Sequence, residues 1–124
     1  MELKFYRCSI CGQIIAVIQE TGANIVCCGQ NMEEIKANTV DASLEKHVPV
    51  FEQKGNKVHV RVGSKDHPME EAHYIQWILL KTENGCQMRA LKPGDSPKAC
   101  FYVGENDKIK AVYAYCNVHG LWKA

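Results

Sequence analysis

The chain contains no run of 18 uncharged apolar residues, so no helical membrane span is expected. It also lacks an excess of one charge. Fifteen basic and 14 acidic side chains leave +1, which argues against a broad basic face for nucleic acid. Its first seven residues, Met1-Glu2-Leu3-Lys4-Phe5-Tyr6-Arg7, carry three charges and no apolar h-region, so no secretory signal is expected. Sustained helical periodicity, internal repeats and low-complexity segments are absent. No histidine precedes His47. What remains is a chain of 124 residues, 46% hydrophobic and 23% charged, ordinary values for a globular protein. The length suits one domain, or a small domain followed by one of about 90 residues.

Cysteine is what the chain has in excess. There are seven, an odd number, so a complete set of internal disulfides is ruled out. With no signal expected, the reducing cytoplasm is the default compartment, and clustered cysteines there more often bind metal. Cys8, Cys11, Cys27 and Cys28 fall in the first 28 residues, while all five histidines lie beyond residue 46. A sulfur-only front and an imidazole-rich back predict two sites and two domains, residues 1–36 and 37–124.

The front piece, at roughly 36 residues, is below the size that folds on apolar burial alone. Short runs from Leu3 to Tyr6 and Ile14 to Ile18 suggest a few strands gathered around a metal. A polar stretch from Glu33 to Ala42 reads as the connection. The second piece shows six strand-like runs separated by turn signals: Val48–Gln53, Lys57–Val62, Tyr74–Lys81, Cys86–Leu91, Lys98–Val103 and Lys108–Tyr115. Their spacing predicts an antiparallel β-sandwich, with a seventh strand around Thr39 to Ala42. The expected fold class is therefore all-β.

Cys8-Ser9-Ile10-Cys11 is a C-x-x-C chelate, and Cys27-Cys28 follows fifteen residues later. Four thiolates suit a tetrahedral ion, and the spacing by itself leaves zinc and iron both open. Adjacent side chains diverge, so turning both sulfurs of Cys27-Cys28 onto one ion should strain the backbone, with Gly29 easing the exit. A c-type haem is excluded because Gly12, not histidine, follows Cys11. A thioredoxin-like motif would open a helix, whereas Gln13 to Ile18 is β-branched and apolar.

In the back, His47, the His67 to His73 loop and the Cys116-x-x-His119 chelate all sit at strand ends or in loops. One ion could collect His47, His67, His73, His119 and Cys116. Four imidazoles and one thiolate exceed structural zinc and suit a redox iron with an open position. The competing reading is surface histidines beside a terminal zinc half-site. His59 alternates within a strand and reads as structural or exposed. Cys86 and Cys100 read as small hydrophobes or spare thiols.

The spacing C-x2-C-x15-C-C resembles desulforedoxin, a small protein with one iron in four sulfurs. The runs Glu45-Lys46-His47-Val48-Pro49, His67-Pro68-Met69-Glu70-Glu71-Ala72-His73-Tyr74-Ile75-Gln76-Trp77-Ile78 and Tyr115-Cys116-Asn117-Val118-His119-Gly120 resemble desulfoferrodoxin, the two-iron form of superoxide reductase. The resemblance covers essentially the whole chain, with no departure at a ligand position. It implies a desulforedoxin-like domain, then an immunoglobulin-like sandwich, assembled as a homodimer. It implies one iron on the four front cysteines. It also implies a ferrous site with four equatorial histidines and Cys116 as axial thiolate, reducing superoxide to hydrogen peroxide with electrons from rubredoxin or a similar carrier. Lys46 would then stand beside the open position and steer superoxide, and Glu45 would bind the oxidised iron as a sixth ligand. The readings of another class are a non-enzymatic iron electron carrier and a zinc-stabilised interaction module.

Overall fold

The computed structural model describes residues 2–124. Two compact units divide the chain, Met1–Lys36 and Ala37–Ala124.

In the first unit, β1 (Lys4–Arg7) is the centre of a three-stranded sheet. It pairs antiparallel with β2 (Ile14–Val17) and with β5 (Glu33–Ile35). Between these lies a two-rung hairpin, β3 (Val26–Cys27) with β4 (Gln30–Asn31). The buried side chains are few: Phe5, Cys8 and Met32. So small an apolar cluster supports the expectation that a metal holds this unit together. One detail of the expected layout is corrected. Glu33 to Ile35 is an edge strand, not part of a connection. Its glutamates face solvent, so its composition mimics a loop.

The second unit is a seven-stranded sandwich. One sheet has the order β10 (Lys98–Tyr102), β7 (Lys57–Val62), β6 (Pro49–Lys54). The other has the order β12 (Gly120–Lys123), β11 (Ile109–Cys116), β8 (Ile75–Thr82), β9 (Cys86–Ala90). All pairings are antiparallel. The alternation Val58, Val60, Val62 of β7 points inward, against Ile78 and Leu80 of β8 and Val112 and Ala114 of β11. Period-2 patterning thus places the core between the sheets, as the immunoglobulin-like architecture requires. The six anticipated runs are strands, with ends shifted by a few residues at most.

The seventh strand is not at Thr39 to Ala42. It is β12, at the end of the chain. Asn38, with φ +61°, explains the difference. Its backbone N–H donates to Leu121 O at 3.0 Å, and its amide bridges both backbone groups of Lys123, at 3.0 and 2.9 Å. One side chain therefore covers the β12 edge where a strand was expected.

A single turn of helix, α1 (Leu44–His47), precedes β6. It stops because Val48 precedes Pro49 and is held extended.

Candidate metal centres

In the front unit, Cys8 and Cys11 come from the turn between β1 and β2. Cys27 and Cys28 come from the hairpin of β3 and β4. Gly12, at φ +81°, folds the first turn so that its N–H donates to Cys8 O at 2.9 Å. Cys28 takes φ +53° and Gly29 +76°. The adjacent pair thus converges through a left-handed cysteine, the strain anticipated for it, and glycine carries the exit. The four sulfurs lie within 4.8 Å of one another. Cys11 Sγ is 3.7 Å from Cys27 Sγ, which is 4.0 Å from Cys28 Sγ. Metal–sulfur bonds of about 2.3 Å in a tetrahedron place sulfurs about 3.8 Å apart, so the set fits such an ion.

The titration of these thiols points the same way. The backbone N–H of Cys11 brings Cys8 down to about 6. Hydrogen bonding to Cys11 and Cys8 pushes Cys27 up to about 12. The sulfurs cannot all be thiolates at neutral pH unless a cation joins them. Cys11→Ser should therefore release the front metal and leave the histidine site loaded. Metal analysis of the purified variant checks this; retention of full metal would contradict it.

The back site is assembled from four places in the sandwich. His47 ends α1 and is only 3% exposed. His67 follows the loop after β7, tied by its N–H to Val62 O at 2.9 Å. His73 closes a tight turn in which it and Glu70 exchange two backbone hydrogen bonds of 3.0 Å. Cys116 ends β11 at a register shift between Tyr115 and Cys116, a bulge that re-aims the side chain. His119 lies in the three-residue loop joining β11 to β12, which Gly120 closes at φ +80°.

The four imidazoles form a square. Neighbouring ring centroids are 4.7 Å apart for His47–His67 and His67–His73, 5.1 Å for His73–His119 and 4.8 Å for His119–His47. The His47–His73 diagonal is 6.4 Å. Each neighbouring pair meets edge to face, at 73° to 88°. His47 Nε2 lies 3.2 Å from His67 Nε2 and 3.0 Å from His119 Nδ1. Bonds of about 2.1 Å at right angles place adjacent nitrogens about 3.0 Å apart, and a tetrahedron about 3.4 Å. The spacing fits a square of ligands better than a zinc tetrahedron. Sγ of Cys116, fully buried, lies with the ligand nitrogens of His47, His67 and His73 within 4.8 Å of one another. It stands 4.0 Å from His119 Nδ1.

Hydrogen bonds decide which nitrogens face inward. His47 Nδ1 is 2.6 Å from Ser43 O, and His67 Nδ1 is 2.7 Å from Pro68 O. A carbonyl only accepts, so each Nδ1 carries the hydrogen and each Nε2 presents a lone pair. Burial pushes His47 and His73 below the usual imidazole range and His67 down to about 4. At neutral pH these three rings are therefore uncharged. Lone pairs then face each other at 3.2 Å, and buried His73 Nε2 has no hydrogen-bond partner at all. A bound cation would satisfy these lone pairs together. Burial raises the Cys116 thiol, while the N–H groups of His119 and Val118 oppose that rise. The His119 N–H points at Sγ from 3.4 Å, ready to support a thiolate.

His47, His67, His73 and Cys116 gather their donor atoms into one group, and His119 stands beside it, its Nδ1 3.0 Å from His47 Nε2 and 4.0 Å from Cys116 Sγ. Lys46 and Glu45 stand exposed on α1 beside it. The positive charge of Lys46 contributes to the depression of both His47 and His73, at opposite corners of the square. His59 is exposed on β7, Cys86 is exposed and Cys100 is half-buried; none of them joins the back site.

Three supporting elements were not anticipated. The Ser43 and Pro68 carbonyls fix the tautomers. Asn117 accepts from Tyr74 N–H at 2.9 Å and donates to Ala72 O at 3.1 Å, clamping the Cys116 turn to the His73 loop. Gly63 lies against α1, where an added Cβ would stand 2.7 Å from Glu45 O and 2.8 Å from Val48 O. The sequence signal for Gly63 was a glycine directly after a strand, which marks a close approach of backbone.

Two family models match the chain, desulfoferrodoxin over residues 39–124 and the desulfoferrodoxin N-terminal domain over residues 1–35. A desulfoferrodoxin homolog of Archaeoglobus fulgidus is 48% identical over 122 residues, covering 98% of this chain and 96% of that one. Desulfoferrodoxin of Nitratidesulfovibrio vulgaris is 46% identical, covering 99% and 96%. Among solved structures, superoxide reductase of Treponema pallidum superposes with a TM-score of 0.84 at 35% identity, covering 100% and 99%. The one-iron superoxide reductase of Giardia intestinalis is 38% identical with a TM-score of 0.56, covering 64% of this chain and 95% of that one. With a four-sulfur front and a square of imidazoles over a thiol behind, the chain belongs to the desulfoferrodoxin family.

Proposed function

We propose that the chain is a superoxide reductase, carrying one iron on Cys8, Cys11, Cys27 and Cys28 and a second on His47, His67, His73, His119 and Cys116. The observation that carries this reading is the square of four imidazoles beside one buried thiol. Iron held there would supply the single electron that converts superoxide, with two protons, to hydrogen peroxide. The protein's part is electrostatic and geometric. Four imidazoles bound to a cation add no charge, and Cys116 as thiolate adds one negative charge. A divalent ion in this donor set therefore keeps a net charge of about +1, which attracts an anion. Four rings and one sulfur leave a sixth position for the substrate.

Lys46 extends that attraction to the rim. Lys46→Ala should slow the encounter with superoxide by about 10-fold at low salt and flatten its ionic-strength dependence. An unchanged rate with an unchanged salt slope would remove the steering role. Glu45, its neighbour on α1, is the ligand proposed for the oxidised iron. A carboxylate offsets the extra positive charge of the ferric state. Glu45→Ala should leave the encounter fast and shift the ferric absorption spectrum; identical oxidised spectra would dismiss it.

The activity needs an external reductant, and a small carrier such as rubredoxin suits one-electron supply. Loaded with iron and given reduced rubredoxin, the chain should oxidise one carrier per superoxide consumed. Superoxide loss without carrier oxidation would contradict the assignment. A homodimer is also proposed, supported by exposed Ile10, Ile18 and Val26 on the small front unit. A cytoplasmic location is supported by seven cysteines that all stand free of disulfides. Among the described residues, no helix is long and apolar enough to cross a membrane.

A further inference from the structure

The outer face of the β6–β7–β10 sheet concentrates charge that the metal site does not use. Strand register lays three rows of side chains across it: Val50, Arg61, Lys98; Glu52, His59, Cys100; and Lys54, Lys57, Tyr102. Val58, Val60 and Val62 point the other way, into the core. Arg89 reaches over from β9 and donates through Nη2 to Cys100 O at 3.4 Å. A shallow groove of about 580 Å³ follows, lined by Val50, Phe51, Arg61, Arg89, Lys98 and Cys100 among others.

Five cations, Lys54, Lys57, Arg61, Arg89 and Lys98, thus share this face with one carboxylate, Glu52. Lys54 already engages Glu52 at 3.7 Å. Among the described residues, neither Arg61, Arg89 nor Lys98 is in an ion pair. In a chain of net charge +1, so basic a face leaves the remaining surface with an excess of acids. The near-neutral total had argued against a broad basic face; register builds a local one.

We propose that this groove docks an acidic one-electron carrier protein, the donor that reduces the back site again after each turnover. The proposal rests on the superoxide reductase reading, which requires such a donor. Charge complementarity selects the occupant, because the five cations repel a second copy of the same face and attract an acidic surface. Exposed Tyr102 gives the encounter an apolar contact. Position supports it too. Val50 follows His47 by three residues, at most about 11 Å of extended chain. In the transfer, one electron leaves the reduced carrier and converts the ferric site to ferrous. The Glu45 carboxylate, proposed as a ligand of the oxidised iron only, would be released on reduction; no other bond changes and no proton is transferred.

The test pairs binding with kinetics, using the full-length iron-loaded protein and an acidic rubredoxin as probe. Zinc-substituted rubredoxin, which cannot transfer an electron, reports binding by calorimetry at low salt. Arg89→Glu/Lys98→Glu should weaken its Kd at least tenfold and flatten the salt dependence. Reduction of the back site by iron rubredoxin should slow in parallel, while the direct reaction with superoxide keeps its rate. Arg89→Gln/Lys98→Gln, the milder pair, should move Kd in the same direction if charge reversal impairs folding. Unchanged binding in both pairs would overturn the proposal. So would a change in oligomeric state in the reversed variant, which would assign the face to a second copy. If the wild-type chain binds the carrier through these residues yet does not consume superoxide, the functional reading fails and the docking surface stands.

Discussion

Cys116→Ser should abolish most of the activity and the sulfur-to-iron charge-transfer band together. The change swaps one atom in a fully buried side chain at the end of β11. It leaves the imidazole square, its tautomer-fixing carbonyls and the Asn117 clamp in place. What it removes is the one negative charge and the one polarisable donor of the set. A serine hydroxyl stays protonated at neutral pH, so the loaded site becomes more positive and electron-poorer. The rate should fall by at least about 100-fold, since even groups one step behind a ligand are worth 10–100-fold. Absorption spectra of the oxidised variant and its rate with superoxide are the two readouts. Survival of both would take Cys116 out of the site.

Gly63→Ala should damage the same site without touching a ligand. The new methyl would stand 2.7 Å from Glu45 O, 2.8 Å from Val48 O and 3.2 Å from the carbonyl carbon of Lys46. All three are backbone atoms, so no side chain can swing aside. The segment from Glu45 to Val48 must retreat, and it carries His47. Overpacking of this kind costs about 1–3 kcal/mol. In a unit of this size each kcal/mol lowers Tm by about 4–8 °C. The back site should also lose iron to a chelator faster, while the four-sulfur site holds its metal. An unchanged Tm with unchanged retention would show that the close approach is not limiting.

How much of this was legible in the sequence depends on the range of the interaction. The front chelate is local: two cysteines of one turn and two of one hairpin must share an ion, whatever the rest does. The back ligands were legible because the runs around them read as strands, which put His47, His67, His73 and Cys116-x-x-His119 at strand ends. The square itself was not legible. It depends on α1 turning His47 inward, on the bulge at Cys116 and on the Asn117 clamp, all long-range. Strand β12 was missed because its four residues follow a ligand motif that reads as the end of the fold. The false strand near Thr39 to Ala42 arose because an asparagine side chain can replace a ladder, which residue patterning does not distinguish. Gly63, directly after β7, signals a close approach, but what it approaches is a segment fifteen or more residues upstream, which local pattern does not name. The cationic groove was hidden by charge arithmetic, which sums over faces that the sheet keeps apart.

The central claim is that this donor set reduces superoxide rather than disproportionating it. The direct measurement follows oxygen evolved and peroxide formed per superoxide consumed, with the iron-loaded chain in the presence of reduced rubredoxin. The account predicts one hydrogen peroxide per superoxide, one carrier oxidised and no oxygen. One oxygen for every two superoxide consumed, with the carrier left reduced, would contradict it.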